Sequence, residues 1–289
     1  DGHAGRDRMM GFGGNDIYIV DNVGDQTFES ANGGTDTVRS TVSLVNSAAL
    51  AAFVENIILL ETGDAARNNL WATGNTLANR ITGNAGNNTL NGGADGVADT
   101  LAGATGNDIY YAGAADIIVE GAGEGTADRV KAYQSFKLSS DDYVEYLETA
   151  DASATATIGL TGNSFEQTIT GNAGVNIISG SGGQDNLTGG GGHDRFVYKT
   201  ASDSVVGAER DIIRDFTTAG TLERIDLSAF LGTFTFRGTD SFNSVFREVS
   251  YSYVGGNTLV KIDLDFDAAS EMEILLIGRH ALTAGDFIL

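Results

Sequence analysis

The 289-residue chain contains no cysteine and no proline. Without cysteine there is no disulfide and no thiolate metal site to staple the fold. Without proline, slow cis–trans isomerisation drops out of folding. Histidine is scarce, with only His3, His193 and His280. Neither a His-Glu-x-x-His zinc pattern nor a Gly-x-Ser-x-Gly nucleophile elbow occurs, so catalysis finds no foothold in these residues. Basic residues are also few, 17 against 39 acidic ones, for a net charge of −22. That sign argues against nucleic acid as a partner, because phosphate contacts need the opposite charge. So acidic a chain repels itself unless counter-charge arrives, and divalent cations can supply it. The expectation is an expanded chain without metal that compacts when a divalent cation is added. No run of eighteen apolar residues occurs, so no helix is expected to span a membrane. No signal peptide opens the chain, which starts inside a repeat at DGHAGRD. It therefore reads as the C-terminal fragment of something longer.

What the chain has in excess is glycine, 40 residues, set in a beat of nine. Gly162 to Val197 splits into GNSFEQTIT, GNAGVNIIS, GSGGQDNLT and GGGGHDRFV. Position one is always Gly, position eight always large and apolar, and position six runs Gln167, Asn176, Asp185, Asp194. A flexible linker would not hold an apolar residue in register at nine. This is the nonapeptide of calcium-binding parallel β-coils, in which six residues turn and three form a strand. The glycines let carbonyls point inward, and the position-six carboxylate adds charge to that oxygen cage. Such hard oxygens suit Ca²⁺. The position-eight side chain points the other way, into a thin core that only stacked coils can bury.

The same beat gives GHAGRDRMM and GFGGNDIYI in residues 2–19, and GNTLANRIT, GNAGNNTLN, GGADGVADTLA and GATGNDIYY from Gly74 onward. The candidate calcium ligands are therefore Asp7, then Gly11, Gly14 and Asp16 in the opening rungs. The middle block adds Gly83, Gly86 and Asn88, then Gly92 and Asp99, then Gly103, Gly106 and Asp108. The last block adds Gly171, Gly174 and Asn176, Gly180, Gly183 and Asp185, and Gly189, Gly192 and Asp194. Between the blocks the pattern alternates as in strands, with one helical stretch expected at 47–53. The whole unit then repeats: ITGNAGNNTL at 81–90 recurs as ITGNAGVNII at 169–178, and Gly14–Tyr18 recurs as Gly106–Tyr110. Narrow rungs thus alternate with wider segments, about ninety residues per unit, most simply as broader coils of one solenoid and otherwise as small separate β-domains. From residue 199 glycine thins and aromatics rise, which reads as an antiparallel sheet capping the coil's open end. The fold class expected is all-β: a parallel β-roll with wider coils over 1–198 and a β-rich cap over 199–289.

These residues resemble the repeats-in-toxin family of secreted bacterial proteins. The tail, through Asp194-Arg-Phe-Val-Tyr198, Asp211–Phe216, Ile225–Ser228 and Asp286–Leu289, is similar to the C-terminal region of serralysin-type metalloproteases. The same tail occurs on secreted lipases and mannuronan epimerases, so the resemblance marks the module and not its cargo. It implies several Ca²⁺ ions as cofactors and an extracellular location. It also implies export by a type I ABC transporter that reads the uncleaved C-terminus, for which Asp286-Phe-Ile-Leu289 fits; alone, those residues would pass as a last strand. In the family each calcium lies between turns two nonapeptides apart. Carried over, Asn176 pairs with Asp194, Gln167 with Asp185, Asn79 with Asp99 and Asn88 with Asp108. Each pair has one amide where the family has two carboxylates, which weakens or empties these sites.

Two other acidic groups stand out. Asp263, Asp265, Asp267, Glu271 and Glu273 form either a worn calcium loop or, as composition favours, a solvated strand end; the EF-hand's Gly and Glu are absent. Asp21, Asp25, Glu29 and Asp36, echoed by Glu120 and Asp128, read as an exposed face. His193 is expected to be exposed. The function expected is a non-catalytic calcium-binding module. The alternatives are a module for an extracellular polysaccharide, or the tail of a secreted protease, lipase or epimerase.

Overall fold

A computed structural model describes residues 3–45, 52–218, 223–243 and 245–289. The helical stretch expected at 47–53 lies, but for its last two residues, outside them. Nearly everything is short strand and turn. The helical elements among the described residues are three-residue 3-10 turns, Ala65–Arg67, Ala201–Asp203 and Ala284–Asp286. No helix there is long and apolar enough to cross a membrane. The chain forms two compact units: residues up to Ser135 with Asp141–Tyr146, and Phe136–Ser140 with Leu147–Leu289.

In the first unit the chain alternates between parallel ladders, a short one pairing Arg8–Phe12 with Gln26–Glu29 and two longer ones. One stacks Ile17–Val20, Thr37–Ser40, Asn56–Leu59, Arg80–Thr82, Thr100–Ala102 and Ile117–Val119 in that order. The other stacks Trp71–Thr73, Thr89–Asn91, Ile109–Ala112 and Arg129–Ala132. Parallel strands three or four residues long are viable here because every coil supplies the next with a hydrogen-bonded neighbour. The wide segments thus stay in the coil as broader turns, since Thr37–Ser40 and Asn56–Leu59 sit in the same ladder as the nonapeptide strands. The alternative of separate small β-domains is set aside for this unit.

Register follows the apolar beat. Tyr18, Val38, Ile57, Ile81 and Leu101 lie in line, and so do Ala72, Leu90, Tyr110 and Val130. All are buried. A one-residue slip would turn each of them outward, so the register is strongly specified.

In the second unit one ladder stacks Phe136–Lys137, Ile158–Thr161, Asn176–Ser179, Arg195–Val197, Arg224–Asp226 and Phe287–Ile288, all parallel. The other runs Thr168–Thr170, Asn186–Thr188, Asp211–Ile213 and Met272–Leu276 in parallel, then Asn257–Asp263 and Arg247–Val254 antiparallel. The tail is β-rich as expected but antiparallel only in part. Asp211–Ile213 and Arg224–Asp226 continue the coil because Ile213 and Ile225 fall in register with Leu187 and Phe196. Phe234–Gly238 adds a parallel edge, with Phe236 between Tyr251 and Phe287 at ring separations of 6.3 and 5.5 Å.

A core one side chain deep per strand has no second layer to close a hole. Leu101→Ala, at a fully buried position, is expected to cost about 2–5 kcal/mol, read as a fall in denaturant midpoint at saturating calcium.

Candidate metal centres

Each position-six side chain turns back into the corner of its own coil. At four of the aspartates one oxygen accepts the backbone N–H of the equivalent residue one coil earlier. Asp99 Oδ1 accepts from Asn79 at 2.7 Å, Asp108 from Asn88 at 2.6 Å, Asp185 from Gln167 at 2.8 Å and Asp194 from Asn176 at 2.7 Å. The structure thus brings together all four pairs carried over from the family. The chains of capping run on through residues outside the nonapeptides: Asp16 to Asp36 to Glu55, Asp99 to Asp116, Asp108 to Asp128 to Glu145, and Asp185 to Asp211. Asp7 is capped by Asp25 at 3.0 Å.

The second carboxylate oxygen is the informative one. Oδ2 of Asp7, Asp16, Asp36, Asp99, Asp108, Asp128, Asp185, Asp194 and Asp211 is buried and accepts no hydrogen bond. A buried anionic oxygen without a partner is among the costliest groups a fold can carry. A row of them, all hard oxygens, fits a divalent ion such as Ca²⁺.

The candidate glycines frame these oxygens. A Cβ at Gly103, Gly180 or Gly189 would strike Asp108, Asp185 or Asp194 Oδ2, and one at Gly83 or Gly171 would strike the carbonyl of Gly103 or Gly189. Gly11 faces Asp16 and Glu29 in the same way, and Gly92 faces Asp99 and Asp116. At position four the need is conformational: Gly14, Gly106, Gly183 and Gly192 have φ of 120°, 127°, 94° and 106°. Gly86 and Gly174 are packed instead against the carbonyls of Asn68 and Thr155.

The amide corners are built differently. Asn88 Oδ1 accepts from Asn84 N–H at 2.7 Å, and its NH₂ donates to Asn68 O at 2.8 Å. Asn79, Gln167 and Asn176 are held likewise: Asn79 donates to Val54 O at 2.9 Å, Gln167 to Asn163 Oδ1 at 2.7 Å, and Asn176 to Gly174 O at 2.8 Å. There an N–H donor occupies the carbonyls a cation would otherwise use.

The acidic group read as an exposed face is a correction. Asp25, Asp36, Glu120 and Asp128 are buried, and only Asp21 is exposed. Asp25, Asp36 and Asp128 stand where position six would stand in a wider coil, whereas Glu120 follows the strand Ile117–Val119. The signal was present in the Gly-Gly-Thr-Asp at 33–36 and the Gly-Glu-Gly-Thr-Ala-Asp at 123–128, each ending 20 residues after a nonapeptide Asp. The strand end at 263–273 is solvated only in part. Asp263 is buried, its Oδ2 is unpaired, and Asp263, Asp265 and Glu271 each place an oxygen within 4.8 Å of the others. Glu273 is buried 3.4 Å from Arg210, whereas Asp267 is exposed. His193 is exposed, as expected.

Comparison with known families agrees with this geometry. The family described as Peptidase M10 serralysin C terminal matches residues 146–289. The family described as RTX calcium-binding nonapeptide repeat (4 copies) matches residues 73–96 and 98–116. The chain is a repeats-in-toxin protein with a serralysin-type C-terminal region. No curated protein matches it. Among solved structures it is similar to the solution structure of the AlgE6R2 subunit from the Azotobacter vinelandii mannuronan C5-epimerase. The identity is 27% over 50% of this chain and 87% of that one, with a TM-score of 0.34. Such repeats bind calcium, and both domain types are typical of secreted bacterial proteins. Neither matching family is a catalytic domain.

Electrostatics set the repeats-in-toxin corners apart from ordinary surface acids. Burial, then neighbouring like charges, pushes Asp99, Asp108 and Asp185 up to about 7, Asp128 to about 6 and Asp211 to about 9. Burial also raises Asp36 and Asp194. A carboxylate whose folded pKa lies above its unfolded value favours folding while protonated. The benefit is complete below pH about 4 and fades as pH rises through about 6–9. In chelator, β-structure is therefore expected to be greater at pH 5 than at pH 8, by circular dichroism. With calcium the order reverses, because protons compete for the same oxygens.

Proposed function

We propose that this chain is a calcium-binding module of a secreted bacterial protein, that it folds on meeting extracellular calcium, and that it has no catalytic role of its own. The observation that carries this is the row of buried Oδ2 atoms without hydrogen bonds in both units. In a calcium-poor compartment these carboxylates hold the corners apart, and the thin core cannot overcome their repulsion. Calcium, when bound, supplies the positive charge that lets them close. Asp16, Asp99, Asp108, Asp185 and Asp194 are the nonapeptide groups that would hold it. The amides of Asn88 and Asn176 complete their turns by hydrogen bonding and add no charge.

The same reading assigns residues 1–198 to the calcium-binding coil and 199–289 to a tail that first continues the coil through Asp211–Ile213 and Arg224–Asp226, then caps it and ends in the export signal. Phe287–Ile288 is paired with Arg224–Asp226, and Asp286 caps the Thr283 N–H at 2.6 Å. A type I transporter would have to read those residues before they fold. Folding that waits for external calcium keeps the signal legible during export.

Circular dichroism in EGTA and in calcium tests this. Weak β signal in EGTA that rises steeply toward millimolar calcium is expected. Strong β signal in EGTA, unchanged by calcium, would reject it.

A further inference from the structure

Asp108, Glu120 and Asp128 each place one oxygen within 4.8 Å of the others. Their exposures are 0%, 2% and 0%. One oxygen of each is occupied. Asp108 Oδ1 accepts from the Asn88 N–H and Asp128 Oδ1 from the Asp108 N–H, both at 2.6 Å, while Glu120 Oε2 accepts the Tyr110 hydroxyl. The remaining three, Asp108 Oδ2, Glu120 Oε1 and Asp128 Oδ2, are buried and accept no hydrogen bond. Three carboxylates therefore share one buried corner, each with one oxygen that accepts no hydrogen bond. Glu120 follows the strand Ile117–Val119 and belongs to no nonapeptide.

A related, less buried cluster recurs, in which Glu29 Oε2 accepts the Ser30 N–H at 3.1 Å. Asp16, Glu29 and Asp36 also lie within 4.8 Å of one another, with Oδ2 of Asp16 and Asp36 unpaired. Tyr18 donates to Glu29 as Tyr110 does to Glu120. Asp16, Tyr18 and Asp36 precede Asp108, Tyr110 and Asp128 by 92 residues each. A glutamate placed by a tyrosine in both copies is a constructed feature, whereas scattered surface acids would not recur with their partners.

We propose that each wide coil carries its own divalent-cation site, Asp108–Glu120–Asp128 in one and Asp16–Glu29–Asp36 in the other. In each, a tyrosine hydroxyl positions the third carboxylate. The proposal rests on the calcium reading above and adds to it. With three carboxylates in place of one carboxylate and one amide, these two sites bind a hard cation of the calcium class more tightly than the amide-bearing nonapeptide pairs. They therefore fill first as calcium rises, and the wide segments set the start of folding. Glu120 and Glu29 are ligands in this account, and Tyr110 and Tyr18 are positioning residues.

The test uses the full chain and two probes. Calorimetric titration with calcium counts the ions. Glu120→Gln and Glu29→Gln are each expected to remove one tight site or weaken it roughly tenfold or more, with β signal at saturating calcium retained. Asp185→Asn, at a corner outside both triads, is expected to leave the two tightest sites unchanged. Terbium, excited through tyrosine, gives the second readout, since Tyr110 touches the triad without ligating. Tyr110→Phe should cut sensitised emission at the first equivalents while leaving the calcium count intact, and Tyr253→Phe should not. This arm also decides the matter if a glutamate variant fails to fold. An unchanged calcium count and affinity in the Glu29→Gln/Glu120→Gln double variant would overturn the proposal, as would unchanged terbium emission in Tyr110→Phe. Absence of any calcium binding by the unaltered chain would instead reject the calcium reading of the whole molecule.

Discussion

A position-six carboxylate in this chain faces two demands at once. One oxygen closes a backbone N–H from the preceding coil, and the other is left facing its neighbours in a dry corner. The first interaction favours the ionised form, and the second opposes it. Desolvation is the larger influence, which is why Asp108 and Asp185 rise rather than fall. The geometry that organises the backbone therefore creates a charge problem, one that a cation of the right hardness would resolve.

The core is too thin to carry that burden. Most strands of the parallel coils contribute one or two buried apolar side chains, such as Ile81 and Leu101 in one ladder and Ile169 and Leu187 in another. Their burial, about 1.5–3 kcal/mol each, is small beside the cost of assembling unpaired carboxylates. This explains the two kinds of corner. Where the sequence places Asn or Gln at position six, the turn seals itself with amide hydrogen bonds. Where it places Asp, the turn keeps a buried oxygen without a hydrogen bond, which on the function proposed above a cation closes. Self-sealed turns keep parts of the coil near their final path, and carboxylate turns make the final closure conditional.

The tail applies the same logic at its end. Its antiparallel strands, Arg247–Val254 and Asn257–Asp263, can pair locally, whereas Phe287–Ile288 gains a partner only once Arg224–Asp226 has joined the ladder. The last residues are thus ordered by contacts distant in sequence, which form late.

The periodic features of this protein are determined locally. Nine-residue spacing places Gly at the turn, Asp16 or Asp194 at its corner, and Tyr18 or Phe196 in the core, so fold class and the candidate nonapeptide ligands follow from the chain alone. The resemblance of the tail was likewise written in contiguous residues. What only the tertiary structure decided is which groups meet across coils of unequal length. Asp128 and Asp211 cap residues 20 and 26 positions earlier, and no fixed period reveals both. The burial of Asp36 and Glu120 and the self-closure of Asn88 and Asn176 were hidden for the same reason. A carboxylate's environment is set by the coil stacked on it, and stacking is a property of the folded chain.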